Sequence, residues 1–162
     1  MFLNPADVSD PDGADSLLPV TKLEYPAIAE FINRLNEATD KQYRLPSETE
    51  WEYALKGSSF AFPSVEGNTW KSGVTGALTP VNSFHPNTFG VYDLLGNAWE
   101  CTGTLYENYQ YHQLQYEYAK GMMVVRGGSY RTTPENVHSR NGQCSYEAPD
   151  TTFRLCLSVN ES

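Results

Sequence analysis

The chain has 162 residues, of which 40% are hydrophobic and 13% aromatic, and a formal net charge of −9. That length and aromatic content fit one folded domain with a real core and exclude a disordered chain. The acidic balance argues against nucleic-acid partners, whose phosphates need clustered Lys and Arg, and no apolar run approaches membrane-spanning length. Phe2–Leu3 offers no signal-peptide core. Eleven tyrosines and twelve glycines suit a turn-rich fold with much aromatic surface, a composition that recognition proteins use. Cys101, Cys144 and Cys156 permit one disulfide with one thiol left over, and none forms a CxxC pair.

Asn4–Pro19 is rich in Asp, Pro and Gly and reads as an irregular lead-in. Pro26 fits the first position of a helix running to about Thr39, with Ile28, Phe31, Ile32 and Leu35 on one face. Ser47-Glu48-Thr49-Glu50 is a capping box that opens a second helix, with Trp51, Ala54 and Leu55 as its buried stripe and Gly57 as its C-cap. Arg44 is placed to pair with Glu50 or Glu52, and Trp51, Tyr53, Tyr92 and Trp99 read as core aromatics. Beyond Gly57 the chain breaks at Gly67, Gly73, Gly76, Pro80 and Pro86, and Tyr106–Ala119 fits either a Tyr-rich helix or an extended insertion. Two helices followed by strands and loops predict an α+β fold with segregated elements, one domain over residues 1–162.

Strands are expected at Met122–Arg126 and Phe153–Val159. Between them lie about two dozen polar, small or turn-forming residues with no period, and a loop of that length is functional or disordered. The Arg126–Ser129 turn needs glycine for close approach or positive φ, and it is no phosphate loop, because no Lys-Ser/Thr or helix follows. There is also no GxSxG or HExxH, and nothing marks Asp93 and Glu100 as an acid–base pair.

Five phrases in one order carry a resemblance: PVTKLEYPAIAEFINRLN, YRLPSETEWEYALKG, VNSFHPNTFGVYDLLGNAWE, VVRGGSY and FRL. Over roughly Pro19–Leu157 the sequence resembles the formylglycine-generating-enzyme (sulfatase-modifying factor) family. The resemblance implies a C-type lectin-like fold of that type, two helices beside twisted antiparallel sheets with long irregular loops. It also implies copper chemistry on two cysteines shortly after the GGS turn. The matching positions are Thr132 and Val137, and neither can supply the soft thiolate that Cu(I) requires. Another branch of the family holds iron on histidines, whereas this chain has only His85, His112 and His138. No catalytic residue is therefore expected.

The resemblance further implies a structural calcium in the Leu95–Glu100 phrase, with Asn97 and Glu100 as oxygen ligands, or else a hydrogen-bonded loop of the same residues. A second family calcium site would fall near Asn68–Trp70, where the acidic partner expected later is missing.

Similar folds occur in the variable proteins of diversity-generating retroelements, in which the stretch between RGGSW-like and FRL-like phrases is diversified to present many binding surfaces. That resemblance implies a non-enzymatic binding protein with a variable segment at about residues 129–152. The expected contacts are Tyr130, Thr132, Thr133, Asn136, His138, Asn141, Ser145, Tyr146 and Asp150, facing a protein or surface ligand. Arg140 and Arg154 read as structural. Randomising the adenines of an Asn codon cannot yield Lys, Glu, Gln, Met or Trp. Three of the 24 residues from Ser129 to Thr152 belong to that set, near the chain-wide share, so composition leaves diversification undecided. The alternatives are a metallo-oxidase with relocated ligands and an accessory domain of a larger protein. A binding role would favour a cell-surface, secreted or virus-particle location.

Overall fold

The computed structural model describes residues 17–57, 70–71, 76–83, 85–106, 122–133, 136–143 and 148–158. Helix α1 spans Tyr25–Thr39, with Pro26 in its first turn and Asp40 closing it in the left-handed region at φ 52°. Pro suits that place because its missing N–H has no helical partner there. Ile28 is fully buried, and Ile32 and Leu35 pack beside it. Phe31 sits at the margin, edge-on to Phe153 at 5.8 Å between ring centroids.

A short strand β1 (Tyr43–Arg44) leads into α2 (Glu48–Lys56). The capping box forms in full: the Glu50 amide donates to Ser47 Oγ at 3.2 Å, and the Ser47 amide donates to Glu50 Oε2 at 2.8 Å. Arg44 grips the same carboxylate through both terminal nitrogens at 2.7 Å. The Arg44 hydrogen bonds, aided by the Ser47 amide, lower the Glu50 pKa to about 2 against the cost of burial. Glu52 turns instead to Lys56 and Arg126. Gly57 follows at φ 60°, a backbone conformation an L side chain rarely adopts.

The remaining strands are β2 (Trp70–Lys71), β3 (Leu95–Gly96), β4 (Trp99–Leu105), β5 (Met123–Arg126), β6 (Asn141–Gln143), β7 (Thr151–Phe153) and β8 (Cys156–Leu157). The main sheet has the order β6-β5-β4-β7, and β1 pairs with β8 in a second, antiparallel ribbon. Pairing is mixed: β5 is antiparallel to β4 and β6, while β7 is parallel to β4 and β2 is parallel to β3. The single strand expected at Phe153–Val159 is split, because Arg154 and Leu155 turn inward between β7 and β8 and both are buried. An irregularity between Cys101 and Leu105 lets Gly103 leave β5 and donate to Pro46 O at 2.8 Å. β4 thereby ties the sheet to the entrance of α2.

Two cores share β5. Met123 and Val125 join Ile28, Leu45, Cys101 and Leu155 under α1. Arg126, one residue on and hence on the opposite face, reaches α2. The second core lies under α2 and contains Trp51, Ala54, Leu55, Val91, Leu94, Leu95 and Val137. Each Val or Leu side chain among them contributes about 1.5–3 kcal/mol when buried. Tyr53 departs from the expected core set: it is 65% exposed, on the outer side of α2 against Phe89. Helical geometry explains this, since two residues beyond Trp51 is about 200° around the axis. Cys101 is disulfide-bonded and Cys156 is a free, buried thiol whose pKa is raised chiefly by desolvation. No helix among the described residues is long and apolar enough to cross a membrane.

Candidate ligand-binding loop

The loop begins at the double-glycine turn. Gly127 and Gly128 have φ values of 94° and 73°, and a Cβ on Gly127 would stand 2.6 Å from the Leu94 carbonyl oxygen. Glycine is therefore obligatory at Gly127, where two backbones cross. The crossing is stitched by Gly96 N–H to Gly127 O at 2.7 Å and Tyr130 N–H to Asn97 O at 2.9 Å.

Between the turn and β6, side chains carry much of the bonding. Ser129, fully buried, donates from Oγ to Asp150 Oδ2 at 2.7 Å, which joins the two ends of the loop. The Ser129 amide donates to Thr132 Oγ1 at 2.9 Å. Val137 is completely enclosed in the α2 core. Thr132 and Val137 also converge: the point where a Gly128 Cβ would lie is 3.1 Å from Thr132 Cγ2 and 3.2 Å from Val137 Cγ2. The positions matching the family's copper cysteines thus sit together, filled by a hydrogen-bonded hydroxyl and an apolar plug. This donor set does not fit copper.

The Asn97 and Glu100 pair does not fit calcium. Glu100 is 3% exposed, accepts from Trp51 Nε1 at 2.6 Å and from Arg154 Nε at 2.7 Å, and meets Arg154 Nη2 on its other oxygen. A guanidinium already neutralises this carboxylate, so adding a divalent cation would set two positive groups against each other. Asn97, at φ 62°, spends its side-chain amide on both backbone groups of Thr79, each at 3.0 Å. Of the two expectations for this phrase, the hydrogen-bonded loop describes the geometry. Among the described residues no group of three or more His, Cys, Asp or Glu could hold a metal ion.

The expected ligand contacts divide. Tyr130 is half-buried, with the Arg131 guanidinium 5.0 Å from its ring centroid. Thr133, Asn136 and Asn141 are exposed, and His138 is half-buried. Asn136 Nδ2 donates to Thr133 Oγ1 at 3.1 Å, so this pair forms a small ordered tip. Two of the expected contacts are engaged within the fold. Thr132 is buried, and Asp150 is engaged through Oδ2 with Ser129 and through its carbonyl with the Trp99 amide. Ser145 and Tyr146 lie outside the described residues.

Arg131 and Ser139 were not singled out from sequence, yet both are exposed on the same loop. Their position in the aperiodic stretch was the available signal. Glu48 was also missed. It receives Arg126 Nη1 at 3.1 Å and Arg140 Nε at 2.8 Å. A carboxylate in a helical first turn ordinarily reads as a favourable dipole contact and nothing more.

Residues 4–158 match the sulfatase-modifying factor enzyme 1-like domain. The chain is 33% identical over 141 residues to inactive C-alpha-formylglycine-generating enzyme 2 of Mus musculus, covering 71% of this chain and 42% of that protein. It is 33% identical over 135 residues to the formylglycine-generating enzyme of Mycobacterium tuberculosis, covering 70% and 40%. The chain thus spans less than half the length of these two relatives. Two solved structures share the fold. PvdO from Pseudomonas aeruginosa has a TM-score of 0.73 at 24% identity, over 93% of this chain and 66% of that one. Treponema denticola variable protein 1 has a TM-score of 0.74 at 19% identity, over 94% and 77%. The ordered phrases, the paired cores and these similarities lead to one conclusion: the chain belongs to the sulfatase-modifying factor (formylglycine-generating-enzyme-like) family and has its C-type lectin-like α+β fold.

Proposed function

We propose that this protein is a non-enzymatic binding protein that offers the loop after the double-glycine turn to a protein or surface ligand. The observation that carries this reading is the pair Thr132 and Val137. Where the family's oxidases need two thiolates, this chain places a hydroxyl tied to the Ser129 amide and a fully enclosed methyl pair. Around them Tyr130, Arg131, Thr133, Asn136, Ser139 and Asn141 are left at least partly open. Amphipathic aromatic and amide side chains on a rigid scaffold are suited to adaptable recognition. The likeness to Treponema denticola variable protein 1 supports the finer reading, a retroelement variable protein whose residues 129–152 are diversified. A binding role favours a cell-surface, secreted or virus-particle location. The disulfide at Cys101 favours such an oxidising location.

Two alternatives draw on the relatives. Similarity to the formylglycine-generating enzyme of Mycobacterium tuberculosis supports a metallo-oxidase with relocated ligands. The limited span of the chain within its relatives, among them a kinase, pkn1 of Chlamydia pneumoniae, supports an accessory domain.

The deciding experiment incubates purified protein with Cu(I) and a thiol substrate while copper content and oxygen uptake are followed. The binding reading expects no stoichiometric copper and no oxygen uptake above buffer; one bound copper with thiol-dependent uptake overturns it. A paired capture, wild type against a Tyr130→Ala, Asn136→Ala, Asn141→Ala variant, then asks whether a surface-protein ligand follows the loop. In the encoding genome, a near-copy of the 3′ coding end differing mainly at adenines, beside a reverse transcriptase gene, is the mark of diversification. Its absence removes that finer reading.

A further inference from the structure

Glu48 is the acceptor on which two arginines from different parts of the chain converge. Arg126 leaves the end of β5 and reaches it at 3.1 Å, with Glu52 as a second partner at 2.9 Å. Arg140 leaves the loop just before β6 and sets Nε between both Glu48 oxygens, at 2.9 and 2.8 Å. Burial grades these groups: Arg126 is 4% exposed, Glu48 18% and Arg140 30%. The inner arginine therefore belongs to the core and the outer one to the loop, with a single carboxylate serving both.

Glu48 is itself fixed. Its amide donates to Thr104 Oγ1 at 2.9 Å, and it occupies the first turn of α2, where a negative charge is favoured. Arg140 is fixed from its other side by the Tyr106 ring, 4.9 Å from the guanidinium carbon. Gly142 presses on that same ring: a Cβ there would fall 2.5–2.9 Å from three of its carbons. The exit of the loop is thus clamped between a carboxylate on α2 and an aromatic ring at the end of β4. Ser139 and Asn141, exposed on either side of Arg140, inherit their positions from that clamp.

We infer that Glu48 is a positioning residue for the second half of the recognition loop. It holds Arg140 as framework, so that residues 136–143 present one surface rather than many. Glu52 serves Arg126 and Lys56 and has no part in this. The relevance to recognition rests on the binding reading; the positioning role does not, and it can be tested without a ligand.

Amide hydrogen exchange read by mass spectrometry compares wild type with Glu48→Gln, Arg140→Gln and Glu52→Gln. Glu48→Gln and Arg140→Gln are each expected to speed exchange in residues 136–143 by about tenfold or more, with β4 unchanged in both and β5 unchanged in Arg140→Gln, which leaves the Arg126 contacts in place. Glu52→Gln should leave 136–143 at the wild-type rate. Salt at about 1 M, which shortens the screening length to about 3 Å, should move wild type toward the variants and leave the variants where they are. A merely structural contribution would instead speed the loop and the β4–β5 strands together. That result, unchanged exchange in 136–143, or an equal effect of Glu52→Gln overturns the inference. Should Glu48→Gln fail to fold, Arg140→Gln alone decides, because it leaves the Arg126 contacts in place. A failed copper or capture experiment with local loosening intact would reject the binding reading and keep the clamp.

Discussion

Residues 129–150 contain two sets of side chains that a sequence cannot tell apart. Thr132, Val137, Arg140 and Asp150 turn inward, onto the Ser129 amide, the α2 core, Glu48 and Ser129 Oγ respectively. Tyr130, Thr133, Asn136 and Asn141, often a single residue away, are left open in whole or part. Thr132 and Thr133 are the sharpest instance: the same residue type, adjacent, one buried and one exposed. Outside β6, the described part of this loop is held by side chains: Thr132, Arg140 and Asp150 each satisfy a backbone or charged group that would otherwise be stranded, and Val137 fills the α2 core. Order is carried by the first set and surface by the second.

The largest expected effect comes from the network beneath the loop. Arg154→Met leaves Glu100 buried with Trp51 Nε1 as its remaining side-chain donor, and should cost about 3–5 kcal/mol in urea unfolding at neutral pH. A loss below about 1 kcal/mol, the range of exposed pairs, would show that the pair is not the framework described here.

A middling effect is expected within the loop. Val137→Ala removes two methyl groups from the α2 core and should cost about 2 kcal/mol, from lost burial plus a cavity. Thermal unfolding compared with Val91→Ala, on the same core but outside the loop, gives the reference. If Val137→Ala is neutral, the inward set is not what orders the loop.

The smallest effects belong to the outward set. Thr133→Ala, Asn136→Ala and Asn141→Ala should each change stability by no more than about 0.5 kcal/mol. A clear loss of thermal stability at any of them would move that residue into the framework and shrink the recognition surface.

Much of the scaffold was legible before any coordinates. The double glycine at 127 and 128 was readable as a turn, although what makes glycine obligatory at 127 is the distant Leu94 carbonyl. The capping box at Ser47 and Glu50 and the stripe of Trp51, Ala54 and Leu55 follow from short-range chemistry. Their causes lie within a few residues, so they can be read locally. The roles of Arg140 and Arg154 as structural groups were also foreseen. Tyr53 was read as core, although the same helical period that buries Trp51 turns it outward. The partners of Glu48, Thr132 and Asp150 were passed over for another reason: they lie 92, 3 and 21 positions away in sequence. Even the near partner of Thr132 could be chosen only once the turn had closed.

What the sequence determined by itself was the scaffold: two capped or Pro-started helices, a strand ending in a double-glycine turn, and the absence of thiolates at positions 132 and 137. These depend on residue type and near neighbours, which a linear chain records. Only the tertiary structure decided which loop side chains are framework and which are surface, and that a buried guanidinium neutralises Glu100. Those outcomes depend on charges and cavities assembled from distant segments, where an unpaired buried group is costly enough to select one arrangement.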